Sequence, residues 1–187
     1  RMKPRVNHYP ISVELYHIMA ERGTFAPDER VELIDGEIIE MSPIVSRHAR
    51  VVNFLSEFLN RGFSDRFIVS VQNPIVVTDD SEPQPDIALL ERRADLYIDE
   101  LPSGKDVALV IEVCDSTVAF DRSRKLPKYA AASIPETWLI DLESEHIEVH
   151  FSPKETAYGV VKIYLRGENA VSETLTALNL PVSDILG

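Results

Sequence analysis

Three residues have the types and spacing to cleave a phosphoester. Glu112 is the one carboxylate in an eight-residue run of β-formers, 107–114, with apolar neighbours on both sides, which is the pattern of a central strand covered on both faces. A carboxylate buried there is costly unless something pairs with it. The partners follow directly: Asp121, Lys125 and Lys128 recur at i, i+4 and i+7, so on a helix they share one face and Lys125 can lean back over the strand end. Upstream, Pro85-Asp86 opens a further apolar run, PDIALLE, and sets a second carboxylate at a strand start. Two strand carboxylates and a lysine form a constellation suited to metal-assisted phosphoester hydrolysis.

Each of these residues also has a structural reading. Asp86 can cap a turn after Pro85, Glu112 and Lys125 can form a purely structural ion pair, and Asp121 with Lys125 is also the spacing of a helix-surface pair. His48 reads first as a surface histidine. Glu32 and Glu37 read as solvated strand residues, with Glu32 alone in a position to face a cleft. Cys114 reads as a small core residue without a histidine partner, and Trp138 as core.

The elements that must hold these groups can be taken in order. An amphipathic helix is expected over 11–22, with Ser12 as N-cap and Gly23 as its end. Residues 30–41, RVELIDGEIIEM, read as a hairpin turning at Asp35-Gly36, the dipeptide of a two-residue type I′ turn. A helix from Ser46 to about Leu59 follows, with Val52, Leu55, Phe58 and Leu59 on its buried stripe. Arg47, His48 and Arg50 crowd its first turns, where cations oppose the helix dipole and so point to an anion.

Strands are expected over 67–78, interrupted at Asn73-Pro74, then over 86–91 and 107–114. The next helix runs to about Ala132, and Pro127 is tolerable only near its first turn, so a regular start is expected near 122–124. Strands over 136–141, 146–151 and 159–165 and a packed tail over 175–186 complete the chain. This order predicts an α/β (α+β) sheet of mixed direction: early strands antiparallel, with a parallel crossover after Cys114.

At this point the residues resemble a known family. PD at 85–86, a carboxylate at 112 and a nearby lysine look like the PD-(D/E)XK nuclease superfamily. The finer pattern is similar to the Uma family (Uma-two type) of restriction endonucleases, long described as a domain of unknown function. The matching segments are ELIDGEIIEMSP with His48 (32–48), QNPIVV (72–77), SEPQPDIALL (81–90), IEVCDST (111–117), DRSRKLPKYA (121–130) and IPETWLID (134–141). The resemblance implies a restriction-endonuclease-like core of helix, three antiparallel strands, helix and strand, plus an N-terminal hairpin and C-terminal strands. It also implies Asp86 and Glu112 as ligands of Mg²⁺, for which Mn²⁺ can substitute. One departure stands out: the superfamily lysine falls two residues after the acid, where this chain has Cys114. In the Uma-like pattern it sits on the next helix, as Lys125.

In that role Lys125 orients the attacking water or neutralises the phosphate, with carbonyls near Val113 as a third metal donor. Gln72, Asp121 and His48 follow, for water positioning, for holding Lys125 and for phosphate contact. The expected activity is a Mg²⁺-dependent endonuclease acting on DNA, with a homodimer cutting both strands. The alternatives are a non-catalytic interaction module on the same fold and a metal-dependent hydrolase of small phosphoesters.

Composition bounds these readings. With 187 residues and 44% hydrophobic content, one core is expected: a single nuclease domain over 1–187, with a helical extension over 1–29, a family-like core over 30–151 and a strand and tail over 152–187. No apolar run suggests a membrane span, and the basic opening RMKPRVNHYP has no apolar stretch behind it to make a signal peptide. The single cysteine excludes an internal disulfide and suits a reducing cytoplasm. A net charge of −12 argues against a protein that coats nucleic acid. Arg122, Arg124, Lys125 and Lys128 nevertheless offer one basic face.

Overall fold

The computed structural model describes residues 8–187; the basic opening over 1–7 lies outside the described residues. The chain runs α1 (Val13–Glu21), β1 (Val31–Ile34), β2 (Glu37–Glu40), α2 (Ser46–Phe63), β3 (Phe67–Val71), β4 (Ile87–Glu91) and β5 (Val107–Cys114). A helix over 118–131, α3, then leads to β6 (Glu136–Asp141), β7 (His146–Lys154), β8 (Ala157–Leu165), β9 (Asn169–Val171), β10 (Asn179–Pro181) and α4 (Val182–Leu186). Strands β3 to β8 form one sheet in sequence order, antiparallel except for the β5–β6 pair. The parallel step is the one bridged by α3, because a crossover needs a helix to carry the chain back across the sheet. The sequence α2, β3–β5, α3, β6 reproduces the expected core order.

Alternation on the strands sorts the core into two layers. Ile87, Leu89, Leu109, Ile111, Val113, Trp138, Ile140, Ile147 and Val149 face α2 and α4. On the other face Ala88, Leu90, Val107 and Val110 pack with Tyr129 of α3, and Cys114 and Leu139 with its Leu126. By the same period of two, Asp86 and Glu112 project on the α3 side. The pairing Ile87↔Ile111 sets the two carboxylates across from each other at the ends of adjacent strands.

Two elements bring the chain's other half to this point. The β1–β2 hairpin turns at Asp35 (φ 53°) and Gly36 (φ 70°), as the Asp-Gly dipeptide predicts. It is buried more deeply than its alternation suggests: Glu32, Leu33 and Ile34 are all buried, so Glu32 is not a solvated residue. The second is α3, which starts at Val118 rather than near 122–124. Pro127 has no N–H to give and would break a regular helix here. Residues Asp121–Lys125 widen into a π turn, with the Leu126 amide bonding the Asp121 carbonyl, so the helix passes through the proline. That wider turn carries Asp121 and Lys125, both buried.

Candidate active site

A cleft of about 320 Å³ opens where β4 and β5 end, between the β1–β2 hairpin, the first turn of α2 and the start of α3. Asp86, Glu112, Lys125, Gln72, Asp121, His48 and Glu32 all line it.

Glu112 is buried at the α3 face, and its Oε1 accepts from Lys125 Nζ (3.3 Å) and from the Tyr129 hydroxyl (2.5 Å). Burial pushes its carboxyl up to about 8; Lys125 draws it down, while Asp121, Asp86 and Glu32 push it further up. Lys125 lies 3.1 Å from Glu32 and 3.8 Å from Asp121 as well. Burial disfavours its cation, but Glu112, Glu32 and Asp121 outweigh burial and raise it above the ordinary lysine range. The ammonium therefore remains charged at neutral pH and supplies positive charge rather than taking a proton.

Asp86 is held from three sides. His48 Nε2 lies 3.0 Å from its carboxylate, the Val113 amide donates at 2.8 Å and Gln72 Nε2 at 3.1 Å. Burial works to raise the Asp86 carboxyl, but these hydrogen bonds, His48 first, hold it below its usual range. Gln72 reaches Asp86 from a left-handed backbone (φ 54°) just past β3, a conformation a non-glycine residue adopts only at some cost. His48 Nδ1 is the one buried side-chain polar atom among the described residues with no hydrogen-bond partner. With Nε2 turned to Asp86, Nδ1 is left unpaired in the cleft wall.

The supporting residues have distinct placements. Asp121 takes the Thr117 hydroxyl at 2.6 Å, and Glu32 takes the Gln84 amide at 3.0 Å. Asp121–Lys125 is thus a buried pair inside the site rather than a helix-surface pair. The Cys114 thiol, beside Glu112 in sequence, is buried and pushed up by that burial, which suits a core residue. Trp138 is core. Tyr129 was not singled out from the sequence; its one signal is the i+4 spacing from Lys125, which puts both side chains over Glu112.

The expected basic face does not form. Arg122 pairs with Glu148, Arg124 with Asp35 and Glu37, and Lys128 with Asp35 and Asp80. At the start of α2, Arg47 pairs with Glu145, and Arg50 donates to the carbonyls of Asp184 and Ile185. Arg124 and Lys128 clamp the hairpin to α3, and Arg50 clamps the C-terminus to α2.

The donor set fits a hard divalent cation. Six carboxylates line the cleft, Glu32, Asp86, Glu112 and Asp121 in its interior and Glu40 and Asp115 at its exposed rim, with Lys125, His48 and Arg30, and Glu112 remains hard to ionise without further positive charge. Among the described residues no three His, Cys, Asp or Glu side chains converge as a metal cage. A hard divalent cation held there would take one or two of these carboxylates, with water and substrate oxygens completing its shell.

The family model described as Uma2, "Putative restriction endonuclease", matches residues 13–183. A crystal structure of a "putative nuclease belonging to DUF820" from Anabaena variabilis superposes with a TM-score of 0.73 at 15% identity, covering 95% of this chain and 98% of that one. This likeness establishes the restriction-endonuclease-like fold. No curated protein matches the chain in sequence. Among the described residues no helix is long and apolar enough to cross a membrane.

Proposed function

The chain belongs to the Uma2 family, and from that premise we propose that it is a Mg²⁺-dependent nuclease that hydrolyses phosphodiester bonds in DNA. Restriction-endonuclease-like families generally use a divalent metal. The observation that carries the reading is the meeting of Asp86, Glu112 and Lys125 in one cleft, from two adjacent strands and a helix. Asp86 and Glu112 hold the metal, and the Val113 main chain lies beside them. Mg²⁺ bound there would polarise a water and offset the charge of the phosphate.

The protein's own groups do the rest. Glu112 must give up its proton to act as a ligand, and the cation it then meets favours that loss. Tyr129 and Lys125 hold one of its oxygens in place. Lys125, kept cationic by Glu32 and Asp121, faces the negative charge that grows on the phosphate as water adds to phosphorus and the ester oxygen leaves. His48 and Gln72 fix the rotamer of Asp86.

The setting proposed is the cytoplasm, in keeping with one buried thiol, and the proposed assembly is a homodimer. The test is cleavage of labelled DNA with Mg²⁺, with EDTA, and by Asp86→Ala and Glu112→Gln. Loss of cleavage in EDTA and in both variants, with unchanged melting, supports the assignment; full activity in both variants removes these residues from the mechanism. The neutralised cations favour a second reading, a hydrolase of small phosphoesters, which faster turnover of bis(nitrophenyl) phosphate than of any oligonucleotide would select.

A further inference from the structure

The cleft entrance is built differently from its floor. Ile44 and Val45, in the turn leading to α2, are 44% and 45% exposed, and with Met41 and the half-buried ring of Phe120 they line the cleft mouth. The Arg124 guanidinium lies 5.8 Å from the centroid of the Phe120 ring. It is locked there by Asp35 and Glu37, so it supports the ring without offering a free charge.

The rest of the mouth is poor in positive charge. Arg30 is the one arginine lining the cleft, and among the described residues it forms no ion pair. Lys125 is committed to three carboxylates, and the exposed acids Glu40 and Asp115 also line the opening. A duplex presents phosphates on both strands and is held by several free Lys and Arg contacts. A strand with unpaired bases needs fewer, because each base can stack on an aromatic or apolar surface.

We propose that the cleft takes an unpaired nucleotide of single-stranded DNA, with its base against Phe120, Ile44 and Val45 and a phosphate near Arg30. The proposal rests on the nuclease reading above and narrows its substrate. The apolar mouth supplies contact to the base, the single free arginine supplies one phosphate contact, and the acids at the rim repel a second strand.

The test compares cleavage of a fluorescent strand of about 20 nucleotides, the same strand annealed to its complement, and wild type against Phe120→Ala, Phe120→Trp and Ile44→Ser. The expected result is cleavage of the single strand at least about tenfold faster than the duplex, with log rate at subsaturating strand falling with log salt at a slope of about −0.7. Phe120→Ala should raise KM about tenfold, as loss of one stacked base would, with Phe120→Trp restoring it and Ile44→Ser giving a smaller rise. Mg²⁺ affinity measured by calorimetry should be unchanged in all three variants, which also shows that the site has folded. Equal or faster cleavage of the duplex, or an unchanged KM in Phe120→Ala, overturns the inference and leaves the nuclease reading standing. Cleavage of neither substrate by a protein that binds Mg²⁺ overturns both.

Discussion

With Glu112 as the proposed ligand, metal binding in this cleft should be coupled to the loss of a proton. Burial pushes its carboxyl up to about 8, so at pH 7 about one molecule in ten carries it ionised, and at pH 9 about nine in ten. A ligand must be deprotonated to bind. Mg²⁺ should therefore bind about tenfold more tightly at pH 9 than at pH 7, releasing about 0.9 proton at pH 7 and about 0.1 at pH 9. Calorimetry in two buffers of different ionisation enthalpy counts these protons directly. Glu112→Gln should weaken binding at both pH values and remove most of the proton release. The same shift has a sign for folding. The folded carboxyl holds its proton more tightly than the unfolded one at 4.5, so this contribution to stability is full below pH 4.5 and is lost as pH rises through about 8. Urea midpoints of wild type should fall over that window relative to Glu112→Gln, and saturating Mg²⁺ should offset the fall. No proton release at pH 7, or wild-type affinity in Glu112→Gln, would refute the assignment of this carboxylate as a ligand.

Three further outcomes test the supporting structure. Tyr129→Phe removes the hydroxyl that holds Glu112 Oε1; Mg²⁺ affinity should drop about tenfold, the scale of one hydrogen bond to a charged group, and unchanged affinity would show that Lys125 alone fixes the carboxylate. Lys125→Met leaves Glu32, Glu112 and Asp121 without their common cation and should cost about 3–5 kcal/mol at pH 8 in urea unfolding. That loss should shrink at pH 5, where Glu112 holds its proton, and an equal loss at both pH values would contradict the electrostatic account. Gly36→Ala forces a side chain into a positive-φ turn, with its Cβ 2.7 Å from that of Pro10. It should destabilise by more than about 1 kcal/mol and loosen the hairpin that carries Glu32, read as faster amide exchange over 31–40.

The strands and their order were legible because their signals are local. The run 107–114 is a strand with the limits expected, Asp35-Gly36 turns as its dipeptide requires, and Ser12 caps α1 by accepting from the Leu15 amide. The two carboxylates were legible for a related reason: Pro85-Asp86 marks a strand start, and a charge inside an apolar run has few structural excuses. The start of α3 was missed because sequence rules describe how proline ends a helix, not how a π turn absorbs it. That turn sets where Asp121 and Lys125 point.

Charge neutralisation could not be read at all. Arg124 and Lys128 look like a basic face in sequence, yet their partners Asp35, Glu37 and Asp80 lie 40 or more positions away and meet them only when the hairpin docks on α3. Glu32 belongs to the same class. Alternation assigned it a face but not a depth, and burial beside Lys125 depends on a helix that follows it by about 90 residues. The sequence by itself determined the elements, their order and the chemical types available at their ends, since these follow from local periodicity and turn chemistry. Only the tertiary structure decided which charges cancel, which carboxylate is hard to ionise and which ring faces the cleft, because those depend on distances between segments far apart in the chain.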